Sequence, residues 1–161
     1  MWPFSIESIH PLVVHFPIAL LLVAVGFDLA AMMGQWPALH RVALWNLGLG
    51  ALGAGAAVWT GLEASEAAKH TFDIYKVMQL HRKLGISTLI LSGLLLVWRL
   101  FTCDRFTLRA RLLMLPLMLA MVGTVSYGAY LGGRLVYEFG AAGPFDASQT
   151  PRSDTLGAPS H

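Results

Sequence analysis

The chain has 161 residues, of which 56% are hydrophobic and 12% charged, with a mean hydropathy of +0.62. That composition excludes a soluble globular domain. A formal net charge of +2, scattered along the chain, excludes a nucleic-acid binder. The single Cys103 excludes an internal disulfide, and without a C-x-x-C-H run there is no covalent haem attachment. No phosphate-binding glycine loop, repeat period or Ser/His/Asp arrangement stands out.

Four apolar runs, near residues 11–33, 42–62, 84–101 and 112–133, are long enough to cross a bilayer as helices of about 20 residues. Period-2 alternation is absent, which argues against a β-barrel. The first run opens with "HPLVVHFPIALLL", which places His10 and His15 beside Pro11 and Pro17. It is too long for a cleavable signal peptide, and no basic residue precedes it. The connections "GQWPALHR" and "WRLFTCDRFTLRARLL" supply Arg41, Arg99, Arg105, Arg109 and Arg111 against Asp104 alone, so they are expected on the cytoplasmic side. The connection between the second and third runs mixes signs. Both termini and that connection are therefore expected outside, with Trp2 and Phe4 at the outer interface and Trp36 and Trp98 near the inner one.

The expected fold class is all-α: an integral membrane four-helix bundle over residues 1–140, N-out and C-out. A disordered tail follows over 141–161, rich in Gly, Ala, Ser, Thr and Pro.

This topology gathers His10, His15, His70 and His81 at the outer end and leaves His40 at the inner one. "EASEAAKHTFDIYKVMQLH" still reads as helix, so helices 2 and 3 are expected to project and turn near 70–73. His81 then lies about 12 Å below that turn, and His15 about 7 Å below His10. Depth suggests two tiers: His15 with His81, and His10 with His70. Pro17 frees the carbonyl of Val13, which could orient the His15 ring.

Below His81 run Gly85, Thr88 and Ser92, and below His15 run Ala19, Leu22 and Gly26. The second helix carries Gly50, Ala54, Ala57 and Gly61, the fourth Ala120, Thr124, Gly128 and Gly132. Histidine above small residues is what a bis-histidine b-type haem pocket looks like. Small residues at this spacing are also the ordinary way in which membrane helices pack. Arg82, Lys83 and Arg134 could neutralise haem propionates, and Tyr127, Tyr130 and Tyr137 could edge the pocket. Glu63, Glu66 and His70 share a face that could hold a metal or form a solvated helix end. Asp28, the one carboxylate inside a span, could take a proton or bond Asn46.

The pattern His10-Pro11-Leu12-Val13-Val14-His15-Phe16-Pro17-Ile18 resembles the opening of a family of bacterial predicted membrane proteins of unknown function. His81-Arg82 and Gly132-Gly133-Arg134-Leu135-Val136-Tyr137 are similar to that family's later motifs, so the resemblance spans roughly residues 8–140. Family members often continue the last motif with histidine, where this chain has Glu138-Phe139-Gly140-Ala141. Any ligand role there does not carry over. Similar domains occur attached to or encoded beside c-type cytochromes, which implies a redox role.

Two functions fit these residues. One is a membrane-embedded b-type cytochrome subunit relaying electrons between a quinone pool and a periplasmic c-type cytochrome or oxidoreductase subunit. Its haem b, or two haems, would sit on His15 and His81, with His10 and His70 as the second pair. The other is a non-haem anchor or assembly subunit whose histidines bind copper, zinc or nothing. Either way the chain is an electron-transfer or structural subunit of the lipid bilayer more than a complete enzyme.

Overall fold

The computed structural model describes residues 6–67, 72–102 and 108–139. They form four helices: α1 (Ile6–Gly34), α2 (Pro37–Ala67), α3 (Phe72–Thr102) and α4 (Leu108–Tyr137). No strand occurs among the described residues. All four helices contain stretches long and apolar enough to span a membrane: Ile9–Gly34, Pro37–Ser65, Phe72–Thr102 and Leu113–Tyr137. The expected tail and Cys103 lie outside the described residues, as do His70 and His161.

The helices run past the apolar runs. "GQWPALHR" is not a loop; only Gln35 and Trp36 connect α1 to α2. The local reason is a Schellman stop. Gln35 takes a left-handed φ of 53°, and the Trp36 N–H reaches back to the Ala31 carbonyl at 3.2 Å. Pro37 then opens α2, where its missing N–H costs nothing. At the other end α2 continues as helix through Glu63 to Ala67.

Helices adjacent in sequence pack together, α1 on α2 and α3 on α4 most extensively, and α4 returns more loosely to α1. Helices α1 and α3 are therefore diagonal across the bundle. The core between them is Leu21, Ala24 and Val25 of α1, Leu47 of α2, Leu95 of α3, and Met114, Met118, Met121 and Val125 of α4. Trp45, Leu52, Leu100 and Phe101 point outward, as a lipid-facing surface requires.

The small residues of α2 act as seats for α1. A Cβ on Gly50 would stand 2.7 Å from Leu21, and one on Gly53 3.2 Å from Pro17. Close backbone approach at small residues supplies the dispersion contacts that membrane helices need in place of a hydrophobic drive. Polar groups cap the apolar core at both ends. His10 and Asp28 are eighteen residues apart on α1, a rise of about 27 Å, close to the hydrocarbon thickness of about 30 Å.

Candidate metal centre

His10 is the fifth residue of α1 and turns into the bundle rather than out of it. Its Nδ1 lies 3.0 Å from Thr60 Oγ1 on α2. The Thr60 hydroxyl has one proton, and it points back at the carbonyls of Ala56 and Ala57, at 3.0 and 3.2 Å. With that proton turned to a carbonyl, the Thr60 oxygen accepts from His10, which then carries its proton on Nδ1.

His81 reaches the same state from the diagonal helix. Its Nδ1 lies 2.9 Å from the Gly128 carbonyl of α4, which can only accept. Both imidazoles thus carry Nδ1–H, and when neutral each leaves a lone pair on Nε2. The Ala57 carbonyl of α2 is a further acceptor for the His10 ring. An anchored N–H with the opposite nitrogen left open is how metal-ligating histidines are held.

The two rings are close. Their centroids are 6.4 Å apart and their planes 83° from parallel. Each ring also rests on a glycine: a Cβ on Gly61 would meet His10 Cε1 at 2.8 Å, and one on Gly132 would meet His81 Cε1 at 3.0 Å.

That seating gives a direct test. Gly61→Ala forces the ring or α2 to move, and overpacking of this kind costs about 1–3 kcal/mol. Gly93 has open space around its Cβ position, so Gly93→Ala should be neutral or gain up to about 1 kcal/mol of helix propensity. Detergent-solubilised Gly61→Ala is expected to melt below wild type and Gly93→Ala at or above it. A Gly61→Ala protein that melts higher than wild type would mean that His10 is not seated on α2.

Several sequence expectations change here. His15 does not face His81. The step from His10 to His15 turns about 140° around the helix, which carries the His15 ring to the exposed face. Its Nδ1 bonds the Pro11 carbonyl rather than that of Val13, because helical side chains point back over the preceding turn. The ring next to that of His81 is His10: depth suggests one pairing, and azimuth brings these two rings together. Gly85 faces α2, where its Cβ position lies 3.8 Å from Val58, an ordinary contact distance. Of the Glu63, Glu66 and His70 face, only the Glu63 side chain is described, and it is exposed.

The basic and aromatic surroundings also differ. Arg82 and Lys83 are exposed beside His81. Arg134 is engaged by Glu138, with Nε at 2.8 and 3.0 Å and Nη2 at 2.7 Å from the carboxylate. Those hydrogen bonds hold the Glu138 carboxyl below its usual range. Tyr137 is exposed, and Tyr127 and Tyr130 stack on each other at 6.1 Å on the outer surface of α4.

A second polar cluster occupies the opposite end. Arg99 of α3 donates through Nη1 to Asp28 of α1 at 2.6 Å and through Nη2 to the His40 carbonyl of α2 at 2.7 Å. His40 Nδ1 lies 3.0 Å from the other Asp28 oxygen. All three residues are buried. Asn46, the expected partner of Asp28, instead donates to the Val42 carbonyl of its own helix at 2.8 Å.

The family model described as "Predicted membrane protein (DUF2231)" matches residues 7–143. The chain belongs to that family. No curated protein and no solved structure matches it. Within this DUF2231 chain the matched segment contains both histidines of the diagonal pair, their anchors Thr60 and Gly128, and the whole Asp28–His40–Arg99 cluster.

Proposed function

We propose that this membrane protein is a b-type cytochrome subunit that relays electrons near the periplasmic face of a bacterial inner membrane, with one haem between His10 and His81. A single observation carries the reading: two imidazoles on diagonal helices, 6.4 Å apart, with both Nδ1–H groups committed to acceptors. His10 and His81 would hold the iron through imidazole nitrogen, a donor type that haem takes from protein. When bound, the haem would supply one-electron chemistry. The chain's own part is to present two Nε2 lone pairs, to hold both rings by their N–H groups, and to surround them with apolar helix. Two histidine ligands favour electron transfer over oxygen chemistry. Arg82 and Lys83, exposed next to His81, are the basic groups available to propionates.

Orientation follows from charge. Arg99 is paired in the interior, so Arg41, Arg105, Arg109 and Arg111 carry the positive-inside signal. That signal supports an outer position for the paired histidines, where a quinol and a periplasmic c-type cytochrome or oxidoreductase subunit would be suitable partners.

A copper or zinc site is the second reading. Among the described residues no group of three His, Cys, Asp or Glu stands close enough to hold an ion. A closed zinc site needs four ligands, whereas the same histidine pair could hold copper(I). Reduced, purified protein is expected to show the sharp α and β bands of a low-spin b haem and about one iron per chain. Copper with no Soret band would establish the second reading. Neither metal, after expression with ample haem, would leave an anchoring role.

A further inference from the structure

We infer that Thr60 is a positioning residue for the metal centre: its hydroxyl holds His10 as the Nδ1–H tautomer and thereby sets how strongly His10 Nε2 donates. The inference rests on the proposed histidine pair and deepens it. Nothing in the sequence marks Thr60; it is one hydroxyl in the apolar part of α2.

Thr60 Oγ1 has three neighbours in hydrogen-bond range: the Ala56 carbonyl, the Ala57 carbonyl and His10 Nδ1. The carbonyls are acceptors only, and the one hydroxyl proton turned to either leaves the oxygen free to accept from His10; the Ala57 carbonyl is a second acceptor for the same ring. A hydroxyl that donates to a carbonyl becomes a better acceptor on its oxygen. His10 must then supply the proton of the third bond. A strong acceptor on Nδ1–H makes the imidazole more basic at the opposite nitrogen. His81 receives the same treatment from the Gly128 carbonyl. No substitution can remove that backbone acceptor, whereas Thr60 can be changed. Each ring thus has a backbone acceptor, Ala57 for His10 and Gly128 for His81, and Thr60 is the acceptor that a side-chain substitution can change.

Thr60→Val keeps the branched shape and deletes the acceptor, and Thr60→Ser keeps the acceptor. Loss of an outer hydrogen-bond partner typically weakens metal binding about 10–100-fold. Oxidised iron gains most from a basic imidazole, so the loss falls chiefly on the ferric state. A tenfold differential between the two oxidation states equals about 59 mV for a one-electron couple.

The experiment is a potentiometric titration of the purified full-length protein and both variants, with haem content measured in parallel. Thr60→Val is expected to raise the midpoint potential by about that amount, and Thr60→Ser to return it to the wild-type value. A purely structural Thr60 would lower haem content or melting temperature without moving the potential of the haem that remains, and that result overturns the inference. An unchanged potential in Thr60→Val with full haem overturns it as well. If the wild-type protein carries no haem, the proposed cytochrome fails separately. Thr60 is then judged by nitrogen NMR of labelled histidines in the same protein: His10 should be protonated on Nδ1 in wild type and lose that preference in Thr60→Val. The same tautomer in both would overturn it.

Discussion

His10→Ala and His81→Ala are each expected to remove the low-spin b-haem spectrum, with haem per protein falling at least tenfold, while His15→Ala leaves the spectrum intact. The magnitude follows from what the substitutions delete. Outer-shell partners alone are worth about 10–100-fold in metal affinity, and an axial ligand contributes more than its support does. The selectivity follows from placement. His10 and His81 face each other across the bundle, whereas the His15 ring lies on the exposed face of α1 and bonds within its own helix. The measurement is the reduced-minus-oxidised spectrum at matched protein concentration. Loss of haem in His15→Ala with retention in His10→Ala would restore the pairing that depth suggested. Loss of half the haem in His70→Ala would show that a second haem is held by a histidine outside the described residues.

What could be read from the sequence, and what could not, depends on the type of physical signal. The four spans were legible because bilayer thickness fixes a length and a composition, both visible in any window of the chain. Helix ends were harder. Nothing in "GQWPALHR" announces that Gln35 will adopt a left-handed φ, since glycine is the usual residue there. His10 and His81 were both legible as candidates, because an imidazole at membrane depth needs a reason. Their pairing was not, because it depends on which way α1 is rotated against α2. That rotation is set by Pro17 seated on Gly53 and Leu21 on Gly50, contacts invisible without the fold. The same contacts turn His15 outward. The small stripe of α2 is a close-packing surface at Gly50, where Leu21 sits, whereas Gly26 of the α1 stripe has open space; spacing alone reads the same in both until the neighbouring helix is in place. Thr60 gave no signal at all. Arg99 gave one that was misread: it was counted among loop charges, although an aspartate inside a span demands a cation and Arg99 is the basic residue at matching depth.

That last pair carries the largest expected effect on stability. Arg99→Met should destabilise the bundle by about 3–5 kcal/mol, the usual consequence of leaving one member of a buried ion pair without the other. Asp28, buried between three helices, would keep only the His40 Nδ1–H of the bonds it accepts. Asp28→Leu should cost a similar amount by taking the carboxylate away from a buried guanidinium that keeps its bond to the His40 carbonyl. The double variant Asp28→Leu with Arg99→Met should recover much of the loss, since replacing both charges with apolar groups removes the desolvation cost together with the attraction. His40→Ala should be milder, about 1–3 kcal/mol, because the His40 group that accepts from Arg99 is its backbone carbonyl, which the substitution keeps. Equilibrium unfolding in mixed micelles measures all four variants. Haem spectra of the folded fraction should stay like wild type in each, because the cluster lies about 27 Å along α1 from His10. A cost below about 1 kcal/mol for Arg99→Met would put this ion pair in the range of exposed surface pairs. The three helices would then not close around it, and Arg99 would return to the count of cytoplasmic charges that orients the chain.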